Sequence, residues 1–278
     1  MLEPGKYATL KVARKVDFGI FLSDGINEVL LPKKWVSPEM EIGTSHEVFI
    51  YKDSEDRTIA TTQKPIATSG EFAYLLVKEV TPIGAFLDWG LEKDLLVPFR
   101  EQDKALEAGK FYVVFVFLDK LTKRIAASAK INRFAKNEDI ELSENEEVEI
   151  LVFKKTDLGF GAIINNRYQG LIYKNEIFTD LEVGDKRKAW IKTIREDGKI
   201  DLRLQKTGFE LSDDAQELIM KKLEEKGGFL ALHDGSDPQL ITKELGMSKK
   251  TFKKAIGGLF KFKLITIEAE GVRLVGNS

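Results

Sequence analysis

Two phenylalanines and two lysines lie close together near the start of the chain. Phe18 and Phe21 flank Gly19, and Lys33 and Lys34 follow after a short apolar run. Aromatic rings stack on the faces of unpaired bases, and lysine or arginine side chains contact the phosphates between those bases. Alternatively, the rings belong to a core and the lysines lie in a solvated loop. The chemistry that these residue types favour is binding of a nucleic-acid strand, which needs a rigid surface but no reactive group.

Groups that commonly act in catalysis are scarce. The chain has 278 residues, two histidines and no cysteine, and the histidines, His46 and His233, are far apart in the sequence. No glycine-rich phosphate loop is present, and Gly159-Phe160-Gly161 lacks the third glycine of a dinucleotide-binding fingerprint. The acidic stretch at 137–149 is interpreted as a solvated linker rather than as a set of metal ligands. We therefore predict a protein without catalytic activity, cofactor or metal site.

The segment around Gly19 occurs three times. The copies read Val16–Leu22, Val80–Leu87 and Lys155–Ile163, and in each an apolar run follows a glycine. Later landmarks follow at nearly constant intervals: Gly43 and Ile59 in the first copy, Gly109 and Ile125 in the second, and Gly184 and Ile200 in the third. Intervals that are held across three copies indicate a repeated structural unit.

Each copy contains five short β-rich runs separated by turn residues. This pattern favours a small antiparallel barrel, and the five-stranded Greek-key barrel called the OB-fold fits it best. We expect three such barrels, at 1–65, 66–136 and 137–209, the last with an acidic lead-in. The shared glycine is predicted to let a barrel strand bend, and a bulge at Gly19 would bring both neighbouring rings onto one exposed face.

Residues 210–278 follow a helical pattern instead. Capping residues predict helices that start at Ser212-Asp213-Asp214, at Ser236-Asp237-Pro238 and at Ser248. Two apolar runs near the C-terminal end predict a hairpin. Three helices and a hairpin form the winged-helix arrangement, a helix-turn-helix variant. The predicted fold class is thus a mainly β multidomain protein, in which three tandem OB-fold barrels precede an α+β winged-helix domain.

The third predicted helix is strongly basic. No acidic residue occurs between Ser248 and Ile267, and Phe260 is predicted to lie on the buried face with the other apolar residues of the helix. The basic face suits contacts to phosphates without preference for particular bases, because the helix lacks Arg, Asn and Gln, the side chains that commonly recognise bases. Alternatively, it is a solvated face or a docking surface for a protein. The lysines concerned are Lys249, Lys250, Lys253 and Lys254.

The repeat also carries a family resemblance. Phe-Gly-x-Phe, a glycine-led apolar strand, and an Asp and an Arg before the last strand make it resemble the RNA-binding domain named after ribosomal protein S1. The resemblance implies an RNA-binding face on each barrel. Its implied members are Phe18, Phe21, Asp53 and Arg57 in the first copy, Phe86, Asp119 and Arg124 in the second, and Phe160, Asp197 and Lys199 in the third.

The second and third copies depart from this pattern. Ile83 and Leu158 replace the first aromatic residue. The S1 family also has a histidine after the third strand, and the three copies have Pro32, Pro98 and Tyr173 at that position. Basic residues follow the third strand in each copy. They add Lys33, Lys34, Arg100 and Lys174, beside Tyr173, to the predicted binding residues.

Three barrels followed by a winged helix resemble the conserved virulence factor B family. The resemblance implies a bacterial, non-catalytic RNA-binding protein that affects gene expression, with single-stranded RNA as its partner. Two alternatives remain open: a DNA-binding transcriptional regulator that acts through the winged helix, and a scaffold for a ribosome or RNA-processing complex. The partner of the winged helix is accordingly a duplex nucleic acid or a protein. No membrane partner is expected and a cytoplasmic location is predicted, because no apolar run approaches the roughly 20 residues of a membrane helix.

Overall fold

The computed structural model describes residues 2–174, 177, 180–204 and 210–275, with the backbone alone at 210–213. The chain divides into two compact units, Met1–Lys136 and Asn137–Ser278. No helix in the described part of the chain is long and apolar enough to cross a membrane.

The first unit begins with a closed five-stranded barrel. Its strands are β1 (Tyr7–Val16), β2 (Gly19–Ser23), β3 (Glu28–Pro32), β4 (Ser45–Lys52) and β5 (Thr58–Thr61). They are ordered β1-β2-β3-β5-β4, and every pair is antiparallel except β3 with β5. Alternate side chains of these strands, such as Leu10, Val12 and Leu22, fill the barrel interior.

The second barrel repeats this arrangement. Its strands are β6 (Phe72–Thr81), β7 (Gly84–Asp88), β8 (Leu95–Pro98), β9 (Phe111–Leu118) and β10 (Ile125–Ser128). They form one sheet in the order β10-β9-β6-β7-β8, and the two edge strands lie beside each other, so this barrel is nearly closed. Its core is continuous with side chains of the first barrel: Phe49, Tyr51 and Ile59 belong to the same buried cluster as Trp89. The rings of Phe49 and Trp89 meet edge to face at 5.8 Å between centroids. The first two barrels are therefore joined by apolar packing as well as by the chain.

The second unit begins with a third closed barrel. Its strands are β11 (Glu147–Lys155), β12 (Gly159–Ile164), β13 (Tyr168–Tyr173), β14 (Lys186–Ile194) and β15 (Ile200–Arg203), in the same order as in the first barrel. The acidic stretch before it is not a free linker. Ile140 and Leu142 pack against the core, and the Asn137 amide donates to the carbonyls of Gln169 and Gly198, each at 2.9 Å. The lead-in is part of the barrel because its partly buried apolar residues pack on the core between exposed acidic ones.

Three helices and a small sheet complete the second unit. The elements are α1 (Glu210–Glu225), β16 (Phe229–Leu230), α2 (Pro238–Leu245), α3 (Lys249–Lys261), β17 (Ile265–Glu268) and β18 (Gly271–Leu274). The Asp237 carboxylate accepts from Gln239 N–H at the start of α2, and Ser248 Oγ accepts from Thr251 N–H at the start of α3. Both predicted caps are thus present. Helix α1 begins at Glu210, ahead of the cap predicted at Ser212, whose side chain lies outside the described residues.

One predicted core residue of α3 is exposed. The buried face consists of Phe252, Ala255, Ile256 and Leu259, whereas Phe260 is 54% exposed. At 100° per residue, Phe260 lies about 80° around the helix from Phe252, at the edge of the apolar stripe. The prediction that Phe260 is buried is wrong.

The repeated glycine has the same surroundings in all three barrels. It starts the second strand with a positive φ, 156° at Gly19, 146° at Gly84 and 152° at Gly159. A β-carbon at these positions would lie 1.9–2.3 Å from a carbonyl oxygen of the third strand. Any larger residue would push the two strands apart. The glycine is therefore structural, as predicted, but its reason is the close approach of two strands rather than a bend alone.

Replacing Gly84 with alanine should destabilise the first unit by at least about 2 kcal/mol, since both the φ angle and the contact with the Val97 carbonyl oppose a side chain. Thermal denaturation of the variant measures the loss. Gly109→Ala is the matched control, because Gly109 also has a positive φ but has no atom within 4 Å of its added β-carbon. Equal losses in the two variants would show that the strand contact contributes nothing.

Candidate nucleic-acid interface

The first barrel brings its two flanking rings together on its surface. Phe18 is 60% exposed in the turn before β2, and Phe21 is half-buried on β2. Their ring centroids lie 6.5 Å apart with planes at 81°, an edge-to-face pair. The register shift that permits this lies in β1, between Val12 and Arg14, and not at Gly19. Corresponding shifts occur in β6 and β11, so the irregularity belongs to the repeat.

An arginine that the sequence reasoning missed completes this surface. Arg14 is the cross-strand neighbour of Phe21, and its guanidinium carbon lies 3.6 Å from the Phe21 ring centroid. Arg14 also bonds the Glu28 carboxylate at 2.9 Å, which holds the guanidinium over the ring. The signal in the sequence is its position: it lies on the strand that pairs with β2, at the register that faces the second aromatic residue.

A backbone hydrogen bond places a lysine beside the same rings. Lys33 N–H donates to the Phe18 carbonyl at 2.9 Å, and the side chain of Lys33 is exposed. Lys34 points elsewhere: it forms an ion pair with Glu92 of the second barrel, and its ammonium lies 5.0 Å from the Trp35 ring centroid. Of the two predicted lysines, Lys33 is thus the one that the fold places next to Phe18.

The turn before β5 is held by an aspartate. The Asp53 carboxylate accepts from the N–H groups of Glu55 and Arg57 at 2.9 and 3.0 Å, and from Arg57 Nε at 2.8 Å. Partial burial raises the pKa of the Asp53 carboxyl, but the hydrogen bonds from Arg57 and Glu55 together outweigh it and lower that pKa. Arg57 therefore stays in a fixed position with most of its side chain exposed.

In the second barrel, the predicted residues line one cavity of about 570 Å³. Arg100 donates to the Asp119 carboxylate at 2.9 Å, and the other Asp119 oxygen accepts from the N–H groups of Leu121 and Thr122. Where Phe21 faces Arg14, Phe86 faces Glu79, so this copy has a negative charge beside its ring. The predicted residues on the cavity wall are Ile83, Phe86, Pro98, Arg100, Asp119 and Arg124.

The third barrel has a weaker ring surface. Gly161 occupies the register of Phe21, because it pairs with Lys154 across the same shift in the first strand. Phe160 is one residue earlier, so its side chain lies on the other face of β12 and packs against the core. Phe160 is partly buried there, it lies with Lys155 on the wall of a cavity, and the Lys155 ammonium is 5.8 Å from its ring centroid, so its place on the binding face stays a prediction.

In the turn before β15, Arg195 takes the position that Asp53 and Asp119 hold in the other barrels: its N–H donates to the Lys199 carbonyl at 2.9 Å, as Asp119 N–H donates to that of Arg124. The predicted pair, Asp197 and Lys199, bond each other at 2.6 Å in the turn before β15. Arg195 instead donates to Tyr173 Oη at 2.5 Å and to the Asp201 carboxylate at 2.8 Å. Lys174 is exposed next to Tyr173, and its N–H donates to the Leu158 carbonyl, the counterpart of the bond from Lys33 in the first barrel.

The lysines of α3 are not equivalent. The Lys249 ammonium donates to the carbonyls of Ser236 at 2.7 Å and Gly235 at 3.2 Å, so it closes the loop before α2. Lys253 lies 3.8 Å from the Asp234 carboxylate. Lys250 and Lys254 are exposed on the same helix. The predicted phosphate surface is thus reduced at its start, where Lys249 has a structural role.

Comparison with known protein families gives two matches. Residues 4–63 and 69–130 match the S1 domain, and residues 217–274 match the CvfB-like winged helix domain. A protein of Staphylococcus aureus (strain USA300) named conserved virulence factor B is 27% identical over 85% of this chain and 81% of its own length. The chain thus carries S1 domains and a CvfB-like winged helix domain, and it is similar along most of its length to proteins named conserved virulence factor B.

Other relatives span nearly the whole chain. A protein of Bacillus subtilis (strain 168) named YitL is 28% identical over 94% of this chain and 90% of its own. A solved structure from Streptococcus pneumoniae, described as a multidomain protein with nucleic acid binding domains, is 25% identical, with 98% of each chain covered and a TM-score of 0.44. The S1 matches coincide with the first two barrels. Those two barrels carry the exposed ring pair and the charged cavity.

The different surroundings of Phe18 and Phe160 predict different losses of stability. Phe160→Ala should cost about 2 kcal/mol or more, since the ring packs on a core, whereas Phe18→Ala should change stability by under about 1 kcal/mol. Thermal denaturation of the two variants beside the parent protein measures both. Similar losses would contradict the assignment of one ring to the core and the other to the surface.

Proposed function

We propose that this protein is a non-catalytic RNA-binding protein that binds single-stranded RNA and regulates gene expression. The observation that carries the proposal is the surface formed by Phe18, Phe21 and Arg14 on the first barrel. The exposed Phe18 ring, beside the half-buried Phe21 ring and a fixed guanidinium, suits stacking on a base together with contacts to phosphate. The S1 domain matches over the first two barrels support the same conclusion.

A single strand fits this surface better than a duplex. Stacking needs the flat face of a base, and in a duplex those faces are covered by neighbouring base pairs. The preference for RNA over DNA rests on the likeness to S1 domains. The role in gene expression is what the resemblance to the conserved virulence factor B family implies, and relatives bearing that name match most of the chain.

The third barrel is, in this proposal, a diverged S1-like unit. It has the strand order, the strand shift and the starting glycine of the first barrel. The second ring is replaced by Gly161, so its contribution rests on Tyr173, Arg195 and Lys174. The corresponding domains are 1–65, 66–136, 137–209 and 210–278.

Replacing Phe18 and Phe21 together with alanine should weaken binding to a single-stranded oligoribonucleotide by at least tenfold. Each stacked base is worth about 1–3 kcal/mol, and two rings are removed. Fluorescence anisotropy with a labelled oligonucleotide at one fixed salt concentration gives the affinity. The matched control is Tyr74→Ala with Phe111→Ala, a surface ring pair of the second barrel with centroids 5.2 Å apart. Unchanged affinity in the Phe18/Phe21 variant would contradict the stacking mode.

The winged helix is proposed as a second, electrostatic contact. Helix α3 exposes Lys250, Lys253 and Lys254, and no acidic residue occurs between Ser248 and Ile267. Such a face binds phosphates without choosing bases. A duplex nucleic acid or a protein partner remains the alternative at this face.

Replacing Lys250, Lys253 and Lys254 with glutamine should flatten the salt dependence of RNA binding. Each lost phosphate contact lowers the slope of log K against log salt by about 0.7 on a single strand. Lys249 is left unchanged because it closes the loop at Gly235 and Ser236. Lys221, Lys226 and Lys243, exposed in the same domain, give a control variant with an equal change of charge. An unaltered slope in the first variant would assign α3 to protein contacts.

A further inference from the structure

A carboxylate of the first barrel forms a hydrogen-bonded ion pair with an arginine of the second barrel. Arg124 directly precedes β10, and its Nε donates to Asp56 Oδ1 at 2.8 Å while a terminal nitrogen donates to Oδ2. Asp56 belongs to the turn between β4 and β5. Arg57, the counterpart of Arg124 in the first barrel, bonds Asp53, so Arg124 would be expected to bond Asp119. Arg100 bonds the Asp119 carboxylate instead. The two-pronged bond to Asp56 therefore joins the two barrels at their binding faces.

Two further cations surround the same carboxylate. The pKa of the Asp56 carboxyl is lowered, first by the hydrogen bond from Arg124 and then by the charges of Arg124, Lys52 and Lys93. Lys93 is partly buried, and its ammonium donates to the Asp53 carbonyl at 2.5 Å, which fixes it at the barrel junction. Burial lowers the pKa of Lys93 more than the neighbouring carboxylates raise it. All three cations line the cavity of about 570 Å³.

We infer that Arg124, Lys52 and Lys93 form a phosphate-binding site, and that the Asp56 carboxylate occupies this site in the free protein. A carboxylate and a phosphate offer the same pair of oxygens to a guanidinium. The inference rests on the proposed function, which supplies the ligand: a phosphodiester of the bound strand. The wall of the same cavity carries Phe86, so a strand held at this site has a ring within its path.

Displacement of Asp56 by a phosphate is feasible because both partners are open to solvent. The side chains of Arg124 and Asp56 are 56% and 40% exposed, and exposed ion pairs contribute little to stability. A displaced Asp56 carboxylate stays close to the strand and repels it. Asp56 thus weakens binding in two ways: it competes for Arg124, and it places a negative charge beside the phosphate.

The test is Asp56→Asn in the full chain. Asparagine tolerates the positive φ of Asp56, 64°, so the variant is expected to fold. Affinity for a labelled single-stranded oligoribonucleotide should rise about two- to fivefold, the range that exposed ion pairs allow. The slope of log K against log salt should steepen, because no freed carboxylate takes up a cation when the strand binds. Asp24→Asn, in an exposed turn of the same barrel, controls for the change of net charge.

Each outcome decides a different point. If the parent protein binds the oligonucleotide and Asp56→Asn binds equally or more weakly, Asp56 only positions Arg124 and the inference is overturned. Arg124→Gln should weaken binding in both the parent and the Asp56→Asn background; no loss in either would also overturn it. If the parent protein does not bind, the proposed function fails. In that case, Asp56→Asn, which lacks the competing carboxylate, is titrated with inorganic phosphate. Binding of phosphate would show a site for free anions and would overturn the assignment to a phosphodiester.

Discussion

The close approach of the second and third strands is the contact on which each barrel surface depends. At Gly19, Gly84 and Gly159 the backbone of one strand lies so near a carbonyl of the next that no side chain fits. This approach fixes where the second strand starts, and hence where the residue before the glycine is exposed. It also lets the residue after the third strand bond back to that position, as Lys33 does to Phe18. A backbone constraint thus decides which side chains meet on the surface.

On this common backbone, the three barrels carry different side chains. The register that faces the second ring position holds Arg14 in the first barrel, Glu79 in the second and Lys154 in the third. The ring position itself is filled in the first two barrels and is Gly161 in the third. The fold has therefore been kept three times while the surface has diverged. The first barrel keeps rings and cation together, and the second gains a cavity lined by charges of both signs.

The sequence revealed most of what depends on local pattern. The glycine landmarks, the strand runs and the caps at Asp237 and Ser248 are set by near neighbours, and the structure agrees with them. Features that depend on distant segments were not predictable. The bond between Arg124 and Asp56 requires two barrels to pack, and the bonds of Lys249 require a loop to return to α3. The sequence showed that the third copy shifts its ring to Phe160, but the face on which that ring lies depends on the strand register, because a shift of one residue reverses the face of the sheet.

The apolar packing between the first two barrels has a consequence for how a strand is selected. Because Phe49 and Trp89 belong to one buried cluster, the two faces are held at a fixed separation instead of being joined by a flexible tether. For sites on a flexible tether, the second contact is governed by linker length, and strands of many shapes can satisfy both sites. Two rigidly spaced sites can both be filled only by a strand whose length between the two contacts matches the distance between the sites. Under the proposed function, such a pair of barrels discriminates by the distance along the strand, without reading a single base.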